Sequence, residues 1–301
     1  MLLRLAPVLF VLIWSTGWIT ARAAAPLGDP LAFLLARFVL AGILLGLVIA
    51  AFKVEFPRDP KIWLHGLISG VLLHTIYLGG VWVSIDQGLP TPVAGLVAAL
   101  QPLLTAGLAV LLLSERLSPG QWMGIALGLC GLAVALGPDL VLVDGGALGD
   151  KAWLIGLNVI AITSVTLGSL YQKRFLALGD LRAISLLQYV GAALTMAPAA
   201  LLFGSLTIEP SLVALGVMAW AVLGLSLAAI GLYLLLIRHG AVWRAASLIY
   251  LIPPLVALEA LILFGEALSP ISVIGMIIAV GGVYLVNRPT AKEQDESRTS
   301  D

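Results

Sequence analysis

The sequence predicts an all-α membrane protein of ten transmembrane helices, built as two inverted-topology five-helix repeats. Three observations support this fold class: an apolar composition, ten apolar runs of membrane-spanning length, and an internal repeat. Of the 301 residues, 61% are hydrophobic and 11% are charged, against about 45–50% and about 25% in soluble domains. Folding in water would expose far more apolar surface than a soluble monomer tolerates. The composition therefore excludes a soluble enzyme, a nucleic-acid binder and a disordered chain.

The apolar runs are separated by short polar segments, and each is close to the roughly 20 residues that cross a bilayer as a helix. The predicted spans are Leu5–Ala21, Leu31–Phe52, Ile62–Ser84, Thr91–Leu113, Gly120–Gly137, Ala152–Leu170, Ala183–Phe203, Leu212–Leu236, Ala245–Gly265 and Pro270–Asn287.

Lysine and arginine are unevenly divided between the two sides that these spans define. If the N-terminus is cytoplasmic, the inside carries thirteen of these residues, and the outside carries Arg22 and Lys151. Because cytoplasmic loops are enriched in Lys and Arg, we expect both termini to be cytoplasmic and the chain to cross the inner (plasma) membrane many times. The 16 basic and 16 acidic residues cancel, so no net charge favours binding to nucleic acid.

A displacement of 151 residues aligns the sequence with itself from the first helix to the last. Leu100–Pro119 falls on Leu251–Pro270, with Pro102 on Pro253. A repeat of five helices is odd, so the second copy must enter the membrane from the opposite side, which is an inverted topology.

This pattern divides the chain into four parts. We expect a first five-helix repeat over 1–138, an outer acidic linker over 139–151, a second repeat over 152–287, and a disordered cytoplasmic tail over 288–301.

Several motifs carry a resemblance to a known family. They are Trp14-Ser15 in the first helix, Arg37 in the second, Pro102 followed by Glu115, and Pro253 followed by Glu266. With these motifs the chain resembles the EamA-type branch of the drug/metabolite transporter (DMT) superfamily over nearly its whole length. The resemblance implies ten helices in two inverted repeats, and the export or uptake of small metabolites such as amino acids. It does not specify the substrate, because one fold serves many functions.

Two charged side chains lie well inside the predicted spans, Arg37 in the second and Glu259 in the ninth. Each is roughly 9 Å below the outer end of its helix, at 1.5 Å per residue. Because charges inside a membrane are costly, opposite charges at one depth are expected to pair. We expect this pair to line a substrate cavity or to respond to protons. The alternative for Arg37 is a structural arginine bonded to helix-end carbonyls.

Other polar and aromatic side chains at mid-depth in the spans are candidates for lining the same cavity. A few hydrogen-bonding groups among aromatic walls suit a small amphipathic solute. The alternative for each is an interhelical hydrogen bond or a place at the membrane interface. The candidates are His74, Tyr77, Trp14, Ser15, Gln101, Asn158, Gln188 and Tyr250.

Prolines at corresponding positions of the fourth and ninth helices predict paired helix breaks at Pro102 and at Pro253-Pro254. Each removes a backbone donor, and paired breaks in matching helices indicate a binding site. The alternative is a static kink. Two further prolines, Pro119 and Pro270, follow serine and are expected to start the fifth and tenth helices.

The resulting hypothesis is a secondary transporter that exports a small metabolite, an amino acid or related amphipathic solute, by alternating access. A flippase for lipids or lipid-linked substrates is the alternative, and an intramembrane enzyme is a remote one. We expect no catalytic residues, cofactor or metal, since the chain has a single cysteine, Cys130, and no two-histidine metal spacing. The expected partners are the small-molecule substrate, membrane lipid, a coupled proton, and a second copy of the chain through the glycine-rich fifth helix.

Overall fold

The computed structural model describes residues 2–89, 94, 97–98, 101–102, 104–105, 108, 110, 117–142, 152–239, 248–264 and 269–287. Helices form all the extended elements of these residues. In the first half they are α1 (Leu2–Ala24), α2 (Pro30–Ala51), α3 (Pro60–Asp86) and α4 (Pro119–Leu142). In the second half they are α5 (Ala152–Phe175), α6 (Leu181–Phe203), α7 (Leu212–His239), α8 (Ile252–Phe264) and α9 (Pro270–Asn287).

Six of the described helices are long and apolar enough to cross a membrane, namely α1, α2, α3, α5, α6 and α7. The all-α membrane class is therefore confirmed. The predicted fourth span, Thr91–Leu113, lies mostly outside the described residues, and its described positions are helical. The two motif glutamates Glu115 and Glu266, the linker positions 143–151 and the tail 288–301 also lie outside the described residues.

Short polar sequences set the helix starts. Asp29 precedes α2 and its carboxylate accepts the backbone N–H groups of Leu31 and Ala32, while Asp180 caps α6 in the same way. The predicted starts at Pro119 and Pro270 are confirmed, because each is the first residue of its helix. Most spans extend a few residues beyond their predicted ends.

Two helices contain π-helical segments near their middle. One is Val71–Ile76 in α3 and the other is Ala221–Ala229 in α7. A displacement of 151 residues carries the first segment to 222–227, inside the second. In a π-helix the backbone bonds shift from i−4 to i−5, and such segments are frequent at functional sites. The proline-based prediction of helix breaks did not include these two.

Two loops meet at one end of the helix bundle, and we call this contact the loop junction. Its members are Leu27–Asp29 and Thr207–Glu209. Gly28 forms an antiparallel bridge with Ile208, and the flanking bonds run from Asp29 N to Thr207 O and from Glu209 N to Leu27 O, each 2.8 Å long. Gly28 has a φ of 145°, which glycine adopts without strain.

The carboxylate of Asp29 ties this junction to the helices. It also accepts the backbone N–H of Ser205. Burial raises the pKa of Asp29, but the N–H groups of Ser205, Ala32 and Leu31 outweigh burial, and the net pKa is lowered. The carboxyl group therefore stays ionised at neutral pH and holds the loop.

Helices α4 and α9 pack at a glycine-to-glycine contact. A methyl group placed at Gly124 would stand 2.8 Å from the carbonyl oxygen of Gly282 and 2.8 Å from the backbone nitrogen of Val286. One placed at Gly131 would stand 2.7 Å from the carbonyl oxygen of Gly275. Gly124 and Gly131 of the predicted fifth helix therefore pack against another helix of the same chain, and the predicted homodimer stays a prediction.

This contact predicts a sharp size limit at Gly124. We expect Gly124→Ala to destabilise the protein by about 1–3 kcal/mol, because the added methyl meets backbone atoms that cannot yield easily. The matched control is Gly156→Ala in α5, where no atom lies within 4 Å of the added methyl. Thermal unfolding of the purified variants in detergent measures both, and equal midpoints for the two variants would contradict the close packing of α4 and α9.

Candidate functional site

A cavity lies among α1, α2, α3 and α7. Its walls are mostly aromatic and aliphatic, with one charged side chain, Arg37. The lining residues are Trp14, Gly17, Trp18, Arg37, Tyr77, Leu78, Val81, Trp82, Leu225 and Ile230. Trp18 belongs to the last third of α1 and Arg37 to the first third of α2, so the cavity lies in the half of the bundle nearer the loop junction.

Arg37 is buried, with 3% of its surface exposed, and it joins α2 to the π-helical segment of α7. Its Nε donates to Ser226 Oγ over 2.7 Å, and its guanidinium lies 6.0 Å from the ring centre of Trp82. Within the described part of the chain no other donor of this guanidinium has a hydrogen bond. Arg37 therefore presents unused donors to the cavity.

The aromatic walls are held in place by their own contacts. Trp14 stacks on Tyr77 with ring centres 6.5 Å apart. Trp82 stacks on Phe33 at 5.5 Å. The indole nitrogen of Trp18 is buried and has no partner among the described residues. Trp14, Arg37 and Tyr77 thus lie together at one cavity, and their role in binding a substrate stays a prediction.

The predicted ion pair between Arg37 and Glu259 is wrong for this structure. Both side chains are described, and each forms a hydrogen bond with a serine hydroxyl instead. Arg37 bonds Ser226, while Glu259 Oε1 accepts from Ser15 Oγ over 2.5 Å, from α1 to α8. Glu259 Oε2 is buried without a hydrogen-bond partner among the described residues. Equal depth along two helices does not require that their side chains face one another.

His74 lies in the π-helical segment of α3 and is 1% exposed. Its ring stacks on Tyr189 at 4.8 Å and is tilted against Phe38 at 5.8 Å. Neither ring nitrogen has a hydrogen-bond partner within the described residues. Tyr189 in turn donates to the carbonyl oxygen of Ser226. Ser226, in the π-helical segment of α7, thus contacts both Arg37 and the ring that stacks on His74.

Other predicted site residues form interhelical hydrogen bonds outside the lining of this cavity. Asn158 donates to Ser84 Oγ over 2.5 Å. Gln101 Nε2 lies 3.4 Å from the hydroxyl of Tyr233. Gln188 Nε2 donates to Ser69 Oγ over 2.9 Å and to Gln172 Oε1 over 2.7 Å. Their roles in a substrate path stay predictions.

In the half of the bundle away from the loop junction, polar contacts join several of the described helices. Besides the bonds of Gln188, the hydroxyl of Tyr233 lies 2.8 Å from Ser169 Oγ, and Lys173 Nζ donates to the carbonyl oxygen of Ile237 over 3.0 Å. These bonds join α5 to α7 and α6 to both α3 and α5.

The structure describes the surroundings of the predicted break at Pro253-Pro254 more fully than those of the predicted break at Pro102. Pro253 and Pro254 stand in the first turn of α8, directly after a 3-10 turn at Leu248–Leu251. Pro102 is helical and buried. The side chain of Tyr250 lies outside the described residues, and the functional meaning of all three prolines stays a prediction.

Besides the aliphatic and glycine lining of the cavity, the sequence analysis missed two tryptophans, Trp18 and Trp82, and the arginine's partner Ser226. Trp18 lies one helical turn from Trp14, so the helical period could have indicated it. Trp82 lies 151 residues before Tyr233, and the repeat could have indicated it. Nothing in the sequence around Ser226 marks the π-helical segment that turns it towards Arg37.

The fold and the cavity define a multi-pass membrane transporter. The EamA-like transporter family model matches the chain twice, over residues 4–137 and 152–288. The chain therefore belongs to the EamA-like transporter family, within the DMT superfamily. The family and the relatives below are transporters, not enzymes.

Several curated relatives align over almost the whole chain. The "Uncharacterized inner membrane transporter YedA" of Escherichia coli K12 is 31% identical over 95% of this chain and 91% of its own length. The "Probable amino-acid metabolite efflux pump" of E. coli K12 is 24% identical, over 92% of each chain. The "Probable terminal-alkyne amino-acid exporter" of Streptantibioticus cattleyicolor is 25% identical, over 98% and 96%.

A solved structure also matches. It has a TM-score of 0.78 and 23% sequence identity, and the alignment covers 94% of this chain and 95% of that chain. This likeness concerns the fold.

The separate partners of Arg37 and Glu259 lead to a prediction about coupling. We expect the losses of stability in Arg37→Gln and Glu259→Gln to add within about 0.5 kcal/mol in the double variant. Arg37→Gln and Ser226→Ala should instead couple by about 0.5–3 kcal/mol, because they share a hydrogen bond. Double-mutant cycles from unfolding in detergent measure both terms. Strong coupling between Arg37 and Glu259 would restore the ion pair.

Proposed function

We propose that the chain is a ten-helix secondary transporter made of two inverted repeats, which exports a small amphipathic metabolite across the inner membrane by alternating access. The carrying observation is the cavity with a buried arginine in one half of the bundle, while interhelical polar contacts join the described helices of the other half. Such a difference between the two halves is what alternating access leads one to expect in a single conformation.

Repeat-related features support the inverted architecture. One family model matches the two halves separately. The π-helical segments Val71–Ile76 and Ala221–Ala229 correspond at the offset of 151 residues, as do the capping residues Asp29 and Asp180. A duplicated unit is the simplest cause of these coincidences, and the predicted fourth span completes the count of ten.

The loop junction supports the predicted orientation. With both termini cytoplasmic, the loops at Leu27–Asp29 and Thr207–Glu209 would both lie outside, and they do meet at one end of the bundle. The positive-inside distribution assigns that end to the outside. The name of the relative YedA supports the inner membrane as the location. On this assignment the cavity faces outward in the present conformation.

The lining of the cavity supports a small amphipathic solute. Trp14, Tyr77 and Trp82 offer apolar faces, and Arg37 offers a polar contact. Such a mixture of a few polar groups and aromatic walls is typical of small-molecule sites. Two relatives carry amino-acid export in their names, and we infer that an amino acid or a related metabolite is exported here.

Glu259 is our candidate for coupling transport to protons. Its Oε1 accepts from Ser15 and its Oε2 has no partner among the described residues. A carboxylate inside a membrane without a counter-charge is costly, so binding a proton relieves that cost. Movement of α1 against α8 would change this environment and could release the proton.

Single-cysteine labelling tests the orientation. In the Cys130→Ala background we expect Glu209→Cys to react with an impermeant thiol reagent added outside intact cells, because this exposed side chain belongs to the loop junction. We expect Leu178→Cys, which is 101% exposed in the loop between α5 and α6, to react only after permeabilisation. The reverse labelling pattern would overturn the assigned orientation.

Proteoliposomes test transport and its coupling. We expect the wild type to move members of a panel of amino acids, nucleobases and amines, and a pH gradient to accelerate this movement. In Glu259→Gln the gradient should lose its effect, because the amide cannot bind and release the proton. The control, Glu209→Gln, changes an exposed glutamate and should keep the wild-type response.

The possible results separate the two parts of the proposal. Transport of no solute by well-inserted protein would overturn the proposed function. Transport that ignores the pH gradient in the wild type, or keeps its response in Glu259→Gln, would overturn the role of Glu259 alone.

A further inference from the structure

We propose that the cavity among α1, α2, α3 and α7 binds the carboxylate of an apolar organic acid, with Arg37 and Trp18 as the anchoring donors. The inference rests on the proposed function, because it names the substrate class of the same site. It also goes further, since it makes the carboxylate the recognised group and gives an ammonium group no part in binding.

Two polar side chains of the cavity lining, Arg37 and Trp18, can only donate hydrogen bonds, whereas the Tyr77 hydroxyl can donate and accept. Arg37 uses Nε for Ser226 and has no other hydrogen bond among the described residues. A guanidinium offers its remaining N–H groups as a planar fork that fits the two oxygens of a carboxylate. The hydrogen bond to Ser226 fixes the plane of that fork, so the donors are oriented before a solute arrives.

Trp18 supplies a second and independent donor. Its side chain is 6% exposed, lines the cavity, and has a buried indole nitrogen without a partner among the described residues. An indole N–H can only donate, and a buried donor left unpaired is unfavourable. The Arg37 guanidinium and the Trp18 indole N–H would therefore both be satisfied by a hydrogen-bond acceptor on the solute.

The charge of the lining points to an anion. Among the lining residues Arg37 is charged and none is acidic. Glu259, the acid predicted to balance it, bonds Ser15 instead. In a low-dielectric cavity an unbalanced cation attracts an anion strongly and repels an ammonium group. A free acid should thus bind more tightly than a zwitterion, and a zwitterion more tightly than an amine.

The apolar residues of the cavity wall determine which non-carboxylate part of the solute can bind. Trp14, Tyr77 and Trp82 present rings, while Leu225 and Ile230 present aliphatic groups. Such walls favour an apolar body and bury it by the hydrophobic effect. An aryl or branched alkyl acid meets both requirements.

The test uses three solutes that share a phenyl group and differ in charge: phenylacetate, phenylalanine and phenethylamine. Purified protein in lipid nanodiscs is titrated near pH 7, and binding is followed by tryptophan fluorescence, because Trp14, Trp18 and Trp82 line the cavity. We expect phenylacetate to bind most tightly and phenethylamine to bind at least about tenfold more weakly, the equivalent of one charge-assisted hydrogen bond.

Variants identify the anchor. Arg37→Gln should weaken phenylacetate binding by about 10–100-fold. It should strengthen phenethylamine binding, because the charge that repels the ammonium group is removed. Arg37→Lys keeps the charge without the fork and should give an intermediate loss. Trp18→Phe keeps a ring and removes the N–H, and should weaken phenylacetate by about 3–10-fold. Arg182→Gln is the control, because this exposed arginine pairs with Asp180 outside the cavity.

Each outcome decides the inference. It is overturned if phenylacetate does not bind, if phenethylamine binds as tightly, or if Arg37→Gln leaves phenylacetate binding unchanged. Should Arg37→Gln fail to fold, the solute series on the wild type and the Trp18→Phe titration carry the test. If proteoliposomes transport the three solutes equally whatever their charge, this inference is overturned and the proposed function is kept. If they transport none of them, the proposed function is overturned, and the binding data still decide whether Arg37 and Trp18 anchor the carboxylate.

Discussion

Arg37 is a charged residue with only 3% of its surface exposed among apolar helices, and the contacts around the cavity compensate part of the cost of that charge. An intramembrane charge costs about 2.5–3.5 kcal/mol on insertion scales. Ser226 relieves part of that cost, since its hydroxyl accepts from Arg37. Tyr189 donates to the carbonyl oxygen of the same serine, so α2, α6 and α7 meet at one residue. The π-helical segment of α7 thus places the Ser226 hydroxyl where it accepts a hydrogen bond from the charged Arg37 of α2.

Much of this fold follows from the sequence, and the reason is physical. Apolar runs and helix-starting prolines act locally, so Pro119 and Pro270 mark their helices without knowledge of the neighbours. The partner of Arg37 could not be predicted in the same way. Hydropathy gives the depth of a residue along a helix, whereas pairing depends on the rotation of each helix about its axis. Arg37 and Glu259 have similar predicted depths but different serine partners.

The π-helical segments were also beyond the reach of the sequence. Val71–Ile76 and Ala221–Ala229 contain no proline, and their leucine, valine and alanine content is that of any membrane helix. Only the packing of the whole bundle selects the altered backbone bonding. His74 and Ser226, which lie in these segments, could be recognised in the sequence as polar side chains within apolar helices. That Tyr189 contacts both of them could not be predicted.

The two halves of the chain carry different residues at matched positions, and the difference agrees with the asymmetry of the bundle. A displacement of 151 residues carries Arg37 to Gln188 and Trp82 to Tyr233. Arg37 and Trp82 line a cavity, whereas Gln188 and Tyr233 form interhelical hydrogen bonds in the other half. An amide can both donate and accept, so Gln188 has its partners among neighbouring side chains, whereas the charged Arg37 keeps donors that have no partner among the described residues.

The contact between α4 and α9 has the geometry of a symmetric dimer interface drawn within a single chain. Gly124 meets Gly282 and Gly131 meets Gly275, and each pair is carried onto the other by the offset of 151 residues. In an isologous contact the same patch serves both sides. A polypeptide that carried only one of these helices could hence form the same contact with a second copy of itself. A single chain holds the two helices in equal number and lets their other positions differ in sequence.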